Sequence, residues 1–306
     1  MSINKLPIFP GSKPLKIEDK PVIEGCTRQH PPFSDFNFTS MFSWDSGNEY
    51  RVARHNDNLV VRFSDYTTND FFYSCLGNKK IDSTLHVLLG QSDLEDITPQ
   101  LRLIPEVVAN NISRDDTFRV KEDETNFDYI YSLPASVMLK GQKYQNQRTR
   151  IRKFENAFKG SIETKVLDLS DFATQQKVID LFHVWANNTR QPPEDTESEL
   201  KAITKSLQYS SSLDIFCLGI YVKGSLVAFS INEIVDENYG ITHFEKADTN
   251  LPGSFNFIRH KTNSSLLKQG CQLVNLEQDL GIASLRTSKK EHRPIDYLKK
   301  YTIEFA

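Results

Sequence analysis

His243 and Glu245 stand two residues apart in the run Tyr239–Ala247, whose only other charged residue is Lys246. If that run is a strand, alternation puts Tyr239, Ile241, His243 and Glu245 on one face and Thr242, Phe244 and Lys246 on the other. A carboxylate beside an imidazole can act as general base toward an amine or hydroxyl, or can hold an ammonium group. The same pattern also suits a polar pair on a sheet surface. His243 and Glu245 are therefore the candidate catalytic residues, and Lys246 is a candidate for binding substrate.

Further along, Glu277 and Asp279 follow the apolar run Gln272–Leu276. Where a buried strand leaves its sheet, α/β folds collect ligands. Two carboxylates there suit the α-amino group of an amino-acid donor, while Asp279 and Gly281 would equally suit the start of a helix. Gly253 and Ser254 open the next helical stretch upstream, where backbone N–H groups offer a seat for phosphate whatever the side chains are. A single glycine at that turn argues against the glycine-rich loop of an ordinary CoA site.

Cations gather in the same half. Lys140 to Lys153 contains Lys140, Lys143, Arg148, Arg150, Arg152 and Lys153 and no acid. Arg148 falls at the border of the buried face of a predicted helix and is the cation most firmly placed. Arg286 and Lys289 lie three apart on another predicted helix, so both can face one phosphate or carboxylate. Up to Leu139 there are 14 basic and 20 acidic residues, and from Lys140 on 23 and 20, for net charges of −6 and +3. Such a distribution suits an anionic partner on the second half, a tRNA end or an anionic lipid surface.

The elements that must hold these residues can be read from periodicity. Tyr144, Ile151, Phe154 and Phe158 mark one helix face, and Val178, Leu181, Phe182 and Trp185 another. A break is expected at Pro192 and Pro193. Ile162–Leu167, Ile215–Val222, Leu226–Ile234 and Tyr239–Ala247 read as strands, the last three consecutive and antiparallel. A helix near 255–268, a strand at Gln272–Leu276, a helix near 282–290 and a final strand Tyr301–Phe305 follow. This is the element order of a GNAT acyltransferase fold. The first half gives the aromatic cluster Phe33, Phe36, Phe38, Phe42 and Trp44, a strand at Asn58–Phe63 and the short apolar run Leu85–Leu89. It gives no fold by pattern alone.

Several segments together resemble one family: Ser34–Thr39, Asp128–Tyr131, Leu139–Tyr144, His243–Ala247 and Asn275–Gly281. The resemblance is to the C-terminal catalytic domain of phosphatidylglycerol lysyltransferases, and it runs from about Pro14 to Phe305. It implies an α/β (α+β) architecture of tandem GNAT-like domains, each a mixed, mostly antiparallel sheet flanked by helices, expected at 1–139 and 140–306. It also implies kinship with Fem-type enzymes, which move an amino acid from aminoacyl-tRNA to an acceptor.

Composition is that of a folded water-soluble protein, with 38% hydrophobic and 25% charged residues and a net charge of −3. No apolar stretch approaches the roughly 20 residues of a membrane helix. Cys26, Cys75, Cys217 and Cys271 are scattered without a C-x-x-C pair, so neither a zinc site nor a disulfide framework is indicated. The expected home is the cytoplasm. No cofactor or metal is called for, the acyl donor itself being aminoacyl-tRNA or, in the rival reading, an acyl-CoA. A third reading is a GNAT-like module that binds a ligand or RNA without turning it over.

Overall fold

The computed structural model describes residues 3–65, 68, 70–113, 116–189 and 193–306. The chain divides into two compact units: 1–128 with 278–281 and 297–306, and 129–277 with 282–296. Each unit takes in segments that a single cut at 139/140 would have assigned to the other. The final strand, expected in the second half, belongs to the first unit.

The first unit carries an antiparallel sheet of Lys13–Pro14, Arg51–His55, Asn58–Ser64 and Phe71–Leu76 in sequence order. A three-stranded sheet places Lys300–Phe305 between Leu101–Pro105 and Phe118–Glu122. The apolar run at Leu85–Leu89 lies in the helix Ile81–Leu94. Its buried Leu85, Leu88 and Leu89 share a core with Leu101, Ile104 and Ile303. Beside it Lys300, fully buried, reaches Asp128 Oδ1 at 2.9 Å, Ser34 Oγ at 3.2 Å and the Asp35 carboxylate. A buried ammonium is tolerable only with such partners, and they come from positions far apart in sequence.

The second unit holds the candidate residues. Its strands are β1 (Asp128–Ser132, whose first residue falls in the other unit), β2 (Ile162–Leu167), β3 (Ile215–Val222), β4 (Ser225–Ile234), β5 (Tyr239–Ala247) and β6 (Leu273–Asn275). They form a sheet in the order β1-β6-β5-β4-β3-β2. All described neighbours pair antiparallel except β5 and β6, which run parallel. Its α-helices of six residues or more are α1 (Leu133–Met138), α2 (Gln145–Ala157), α3 (Phe172–Asn188), α4 (Pro193–Gln208), α5 (Ser254–Lys268) and α6 (Ala283–Glu291). Of the expected break, Pro192 lies outside the described residues and Pro193 opens α4.

Periodicity explains why these helices sit where they do. Ile151 and Phe154 of α2 are buried on one side of the helix, and Arg150, Arg152 and Lys153 are exposed on the other. Phe154 meets Phe257 of α5 with ring centroids 4.9 Å apart, in a core completed by Leu218, Ile220 and Ala228 of the sheet. Asp171 caps α3, its carboxylate accepting from Ala173 N at 3.2 Å and Thr174 N at 3.0 Å.

Candidate active site

Two strands part company at the centre of the second unit. β5 and β6 are in parallel register only where Tyr239, Gly240 and Ile241 face Leu273, Val274 and Asn275. β6 ends there, while β5 continues to Ala247. The fork therefore opens at the C-terminal ends of two parallel strands, where α/β sheets admit ligands.

A bulge reorients β5 inside the fork. Ile231 of β4 faces Phe244 and Asn232 faces Thr242, so His243 is an extra residue with no cross-strand partner of its own. Beyond it the alternation restarts. Thr242 bonds Asn232 (2.9 Å), Asn232 bonds Ser230 (2.9 Å), and Ser230 bonds Thr262 of α5 (2.6 Å). Glu245, opposite Ser230, lies on that same α5 side and meets Arg259. His243 turns instead toward Glu233 and Glu277. The expectation that His243 and Glu245 share one wall is thus corrected: strict alternation fails by one residue at the bulge.

His243 is enclosed between two carboxylates, with Nε2 3.2 Å from Glu233 Oε2 and Nδ1 3.1 Å from Glu277 Oε1. Burial works to lower its pKa, but hydrogen bonds and charge from Glu233 and Glu277 outweigh that and raise it to about 9. The ring is an imidazolium at neutral pH and cannot accept a proton there. The imidazolium between two carboxylates, with the Lys289 ammonium against the Glu277 carbonyl at 3.2 Å, makes a buried ionic cluster at the fork. Glu277 itself sits at φ +58°, strained for a non-glycine residue. Its N–H donates to Asn275 Oδ1 at 2.7 Å.

Glu245 is held by Arg259, whose Nε lies 3.0 Å from Oε1 and whose Nη2 lies 2.8 Å from the same oxygen. Arg259 also lines a small cavity between α1, α2 and α5, of about 20 Å³, with Ser136, Gln147, His260, Asn263 and His292. This space, unforeseen from the sequence, is joined to Glu245 through Arg259. Its polar residues fall on helix positions that periodicity marks only as inward-facing.

The predicted cations are mostly engaged in holding the fold. Lys289, buried, donates through Nζ to the backbone carbonyls of Leu276 and Glu277 and so braces the end of β6. It is not available to a phosphate beside Arg286, which is partly exposed on the same helix. Arg148 donates to the carbonyls of Leu139 and, at 2.8 Å, Gly141, closing the turn before α2. Lys246, opposite in facing to Glu245, pairs with Glu199 at 2.7 Å and lies 3.7 Å over the Trp185 ring. Asp279 lies in the first unit, buried, its Oδ1 accepting from Gly281 N at 2.8 Å. The N-cap of α6 is Ile282, so Asp279 does not cap that helix.

Gly253 caps α5 at φ +93°, and a Cβ there would come within 2.3 Å of Arg150 O. Close backbone approach requires the glycine. Ser254 donates through Oγ to Asp248 O at 2.9 Å and through N–H to Leu251 O at 3.1 Å, so its groups are spent within the turn. Among the described residues no group of three His, Cys, Asp or Glu side chains is placed to hold a metal, and no helix is long and apolar enough to cross a membrane.

Residues 28–304 match the family model described as phosphatidylglycerol lysyltransferase, C-terminal. The chain belongs to that family. Among solved structures it is similar to a conserved protein of unknown function from Bacteroides thetaiotaomicron VPI-5482, at 26% identity and a TM-score of 0.84, covering 96% of this chain and 99% of that one. It is also similar to L-PGS from Bacillus licheniformis (13% identity, TM-score 0.60, 92% and 90% covered) and to FemX (7%, 0.59, 95% and 96%). The last two likenesses establish the fold alone. No curated protein sequence matches. The family is thus one of lysyltransferase C-terminal domains, and the fold, mixed α/β with antiparallel-rich sheets flanked by helices, is shared with FemX.

Proposed function

We propose that the protein transfers an aminoacyl group from a charged tRNA to an amine or hydroxyl acceptor, with the fork between β5 and β6 as the reaction site. The observation that carries the reading is the family match over nearly the whole chain, joined to a fork that holds the Glu233 and Glu277 carboxylates about His243. An aminoacyl donor differs from a simple acyl donor by its ammonium group. The Glu277 carboxylate, the most exposed side chain of the Glu233–His243–Glu277 cluster, suits that group.

In this reading Glu277 receives the donor's ammonium, and His243 is a positioning residue that fixes both carboxylates. Glu245 orients Arg259 across the cavity wall. Proton removal falls to the reactants, and the protein acts chiefly by placing them, since well-oriented reaction partners alone can be worth about 7–11 kcal/mol of barrier. The exposed Lys140, Lys143, Arg152 and Lys153 offer a cationic surface for the tRNA backbone.

The test is a transfer assay in which the full chain is given tRNA charged with labelled amino acids and a panel of amine and hydroxyl acceptors. Label appearing on an acceptor, lost in Glu277→Gln, is expected. Label moving from acyl-CoA and never from charged tRNA would overturn the donor assignment in favour of a CoA-dependent N-acyltransferase. Tight tRNA binding without any product would make the chain a binding module.

A further inference from the structure

β2 is the last strand at its end of the sheet. On one side it pairs with β3, from Ile162 opposite Val222 to Leu167 opposite Cys217, and among the described residues no strand pairs with its other side. Glu163, Thr164, Lys165 and Val166 are all exposed. Such an edge is a row of open backbone donors and acceptors that another strand can join.

The phase of the ladder fixes which groups point outward. Ser161 O accepts from Lys223 N at 3.1 Å, one position before the β2–β3 register begins. In an antiparallel pair these rungs recur at every second residue, and the register runs on unbroken to Leu167. Glu163, Lys165 and Leu167 therefore direct their N–H and C=O groups to β3, and Ile162, Thr164 and Val166 direct theirs outward. The side chains of these last three lie on the face of Val222, Ile220 and Leu218, which is the core face. Val166 is 65% exposed there although its cross-strand neighbour Leu218 is 4% exposed, so the core stops short at this edge.

We propose that this edge pairs with the same edge of a second copy of the chain, antiparallel about a two-fold axis through Thr164. In that register Thr164 exchanges both backbone hydrogen bonds with Thr164 of the second copy, and Ile162 exchanges both with Val166 of the second copy. The exposed Val166 is thereby covered by an isoleucine. Glu163 and Lys165, each 57% exposed and already an ion pair within one chain, fall opposite Lys165 and Glu163 of the second copy. Those are the non-hydrogen-bonded positions, where facing side chains stand closest and opposite charges stabilise.

The charges also reject the adjacent registers. An axis through Glu163 sets that carboxylate against itself, and an axis through Lys165 sets ammonium against ammonium. A lysine on an edge normally guards it against pairing; here the glutamate two residues away lifts that guard for this same sequence run in the opposite direction. The exposed edge strand Phe118–Glu122 of the first unit shows the contrast. Axes through Arg119, Val120 or Lys121 all place cation against cation, so that edge is closed to its own copy. Pairing through β2 uses one patch on both partners and closes at two copies.

Sedimentation velocity of the full chain across a concentration series tests the pairing. The mass should rise from 35.1 kDa toward twice that value with concentration, because a single strand pair is a small interface that dissociates on dilution. Thr164→Pro removes an outward N–H and leaves the β2–β3 ladder alone, as proline at an edge does. With one hydrogen bond lost from each copy it should weaken dimerisation about tenfold or more while the melting temperature holds. Glu163→Lys and Lys165→Glu should each weaken the homodimer, an equal mixture of the two should form heterodimers, and the double variant with both exchanges should dimerise like the wild type. These exposed charge variants carry the test if Thr164→Pro does not fold. A mass of one chain at every concentration would overturn the proposal, as would a mass growing beyond two copies. A dimer indifferent to all of these variants would place the interface elsewhere and overturn it as well.

Discussion

The Glu245 carboxylate and the Arg259 guanidinium meet edge to edge, with Nε 3.0 and 3.1 Å from the two carboxylate oxygens and Nη2 2.8 Å from Oε1. Glu245 is 6% exposed and Arg259 19%. A carboxylate so engaged is a structural counter-charge before it is a base. Replacing it should therefore cost stability as well as activity. Glu245→Gln leaves the guanidinium without a counter-ion, and breaking a buried pair is worth about 3–5 kcal/mol; the low end is expected because Arg259 keeps some solvent contact. Chemical denaturation of Glu245→Gln, Arg259→Gln and the double variant checks this. The double variant should recover part of the loss, and additive losses would show that the two do not couple.

His243 gives stability a pH dependence of known sign. Its folded pKa of about 9 lies above the usual imidazole value. The folded protein therefore binds more protons than the unfolded chain between about pH 6.5 and 9. The stabilisation is fully present below that window and is lost as pH rises through it. Unfolding free energy should fall across the window in the wild type and flatten in His243→Gln. An equally steep fall in the variant would assign the slope to other groups.

His292 works in the opposite direction. Its pKa is pushed down to about 3, so it is neutral in the folded state and must be charged in the unfolded chain as pH drops below about 6.5. Stability from this group is present above that value and lost as pH falls toward 3. His292→Asn should make the second unit less acid-sensitive between pH 6 and 4, measured by hydrogen exchange of α5 and α6 amides.

Much of the second unit was legible in the sequence because period 2 and period 3.6 differ plainly in runs such as Ile215–Val222 and Val178–Trp185. The site was not, for three physical reasons. A bulge is one residue of mismatch between strands, and nothing in Thr242-His243-Phe244 announces it. Lys289 reads as a solvated cation by type, and only its contacts with Leu276 O and Glu277 O make it a brace. The C-terminal strand alternates like any other, and its placement in the first unit depends on Ile303 finding the core of Leu85 and Leu101 and on Lys300 finding Asp128, 172 residues away. Loss of charge at Lys300 should accordingly unfold the first unit before any assay of transfer is meaningful.

Gly253 is expected to tolerate no side chain. At φ +93°, a non-glycine residue costs about 1–2 kcal/mol from backbone strain alone. The added Cβ would also stand 2.3 Å from the backbone oxygen of Arg150, which cannot swing away as a side chain would. Gly253→Ala should lower the denaturation midpoint and loosen α2 against α5, read as lost protection of their amides. A wild-type midpoint would mean that the turn rearranges.

The exposed cations of α2 give the most direct test of the partner. Arg152 and Lys153 are exposed, while Ile151 and Phe154 on the same helix are buried in the core. Substituting Arg152 and Lys153 therefore changes surface charge without touching packing, and the fold should be unaffected. If α2 meets a tRNA backbone, each cation lost removes about one phosphate contact. The slope of log affinity against log salt should then shallow by close to one per contact. Arg152→Gln with Lys153→Gln should weaken charged-tRNA binding at low salt and leave the difference small at high salt, where screening has already removed the contribution. Arg148→Gln should behave differently, because its guanidinium closes the Leu139–Gly141 turn and its loss should appear in the melting curve. Salt slopes identical in wild type and the Arg152/Lys153 double variant would remove α2 from the tRNA interface.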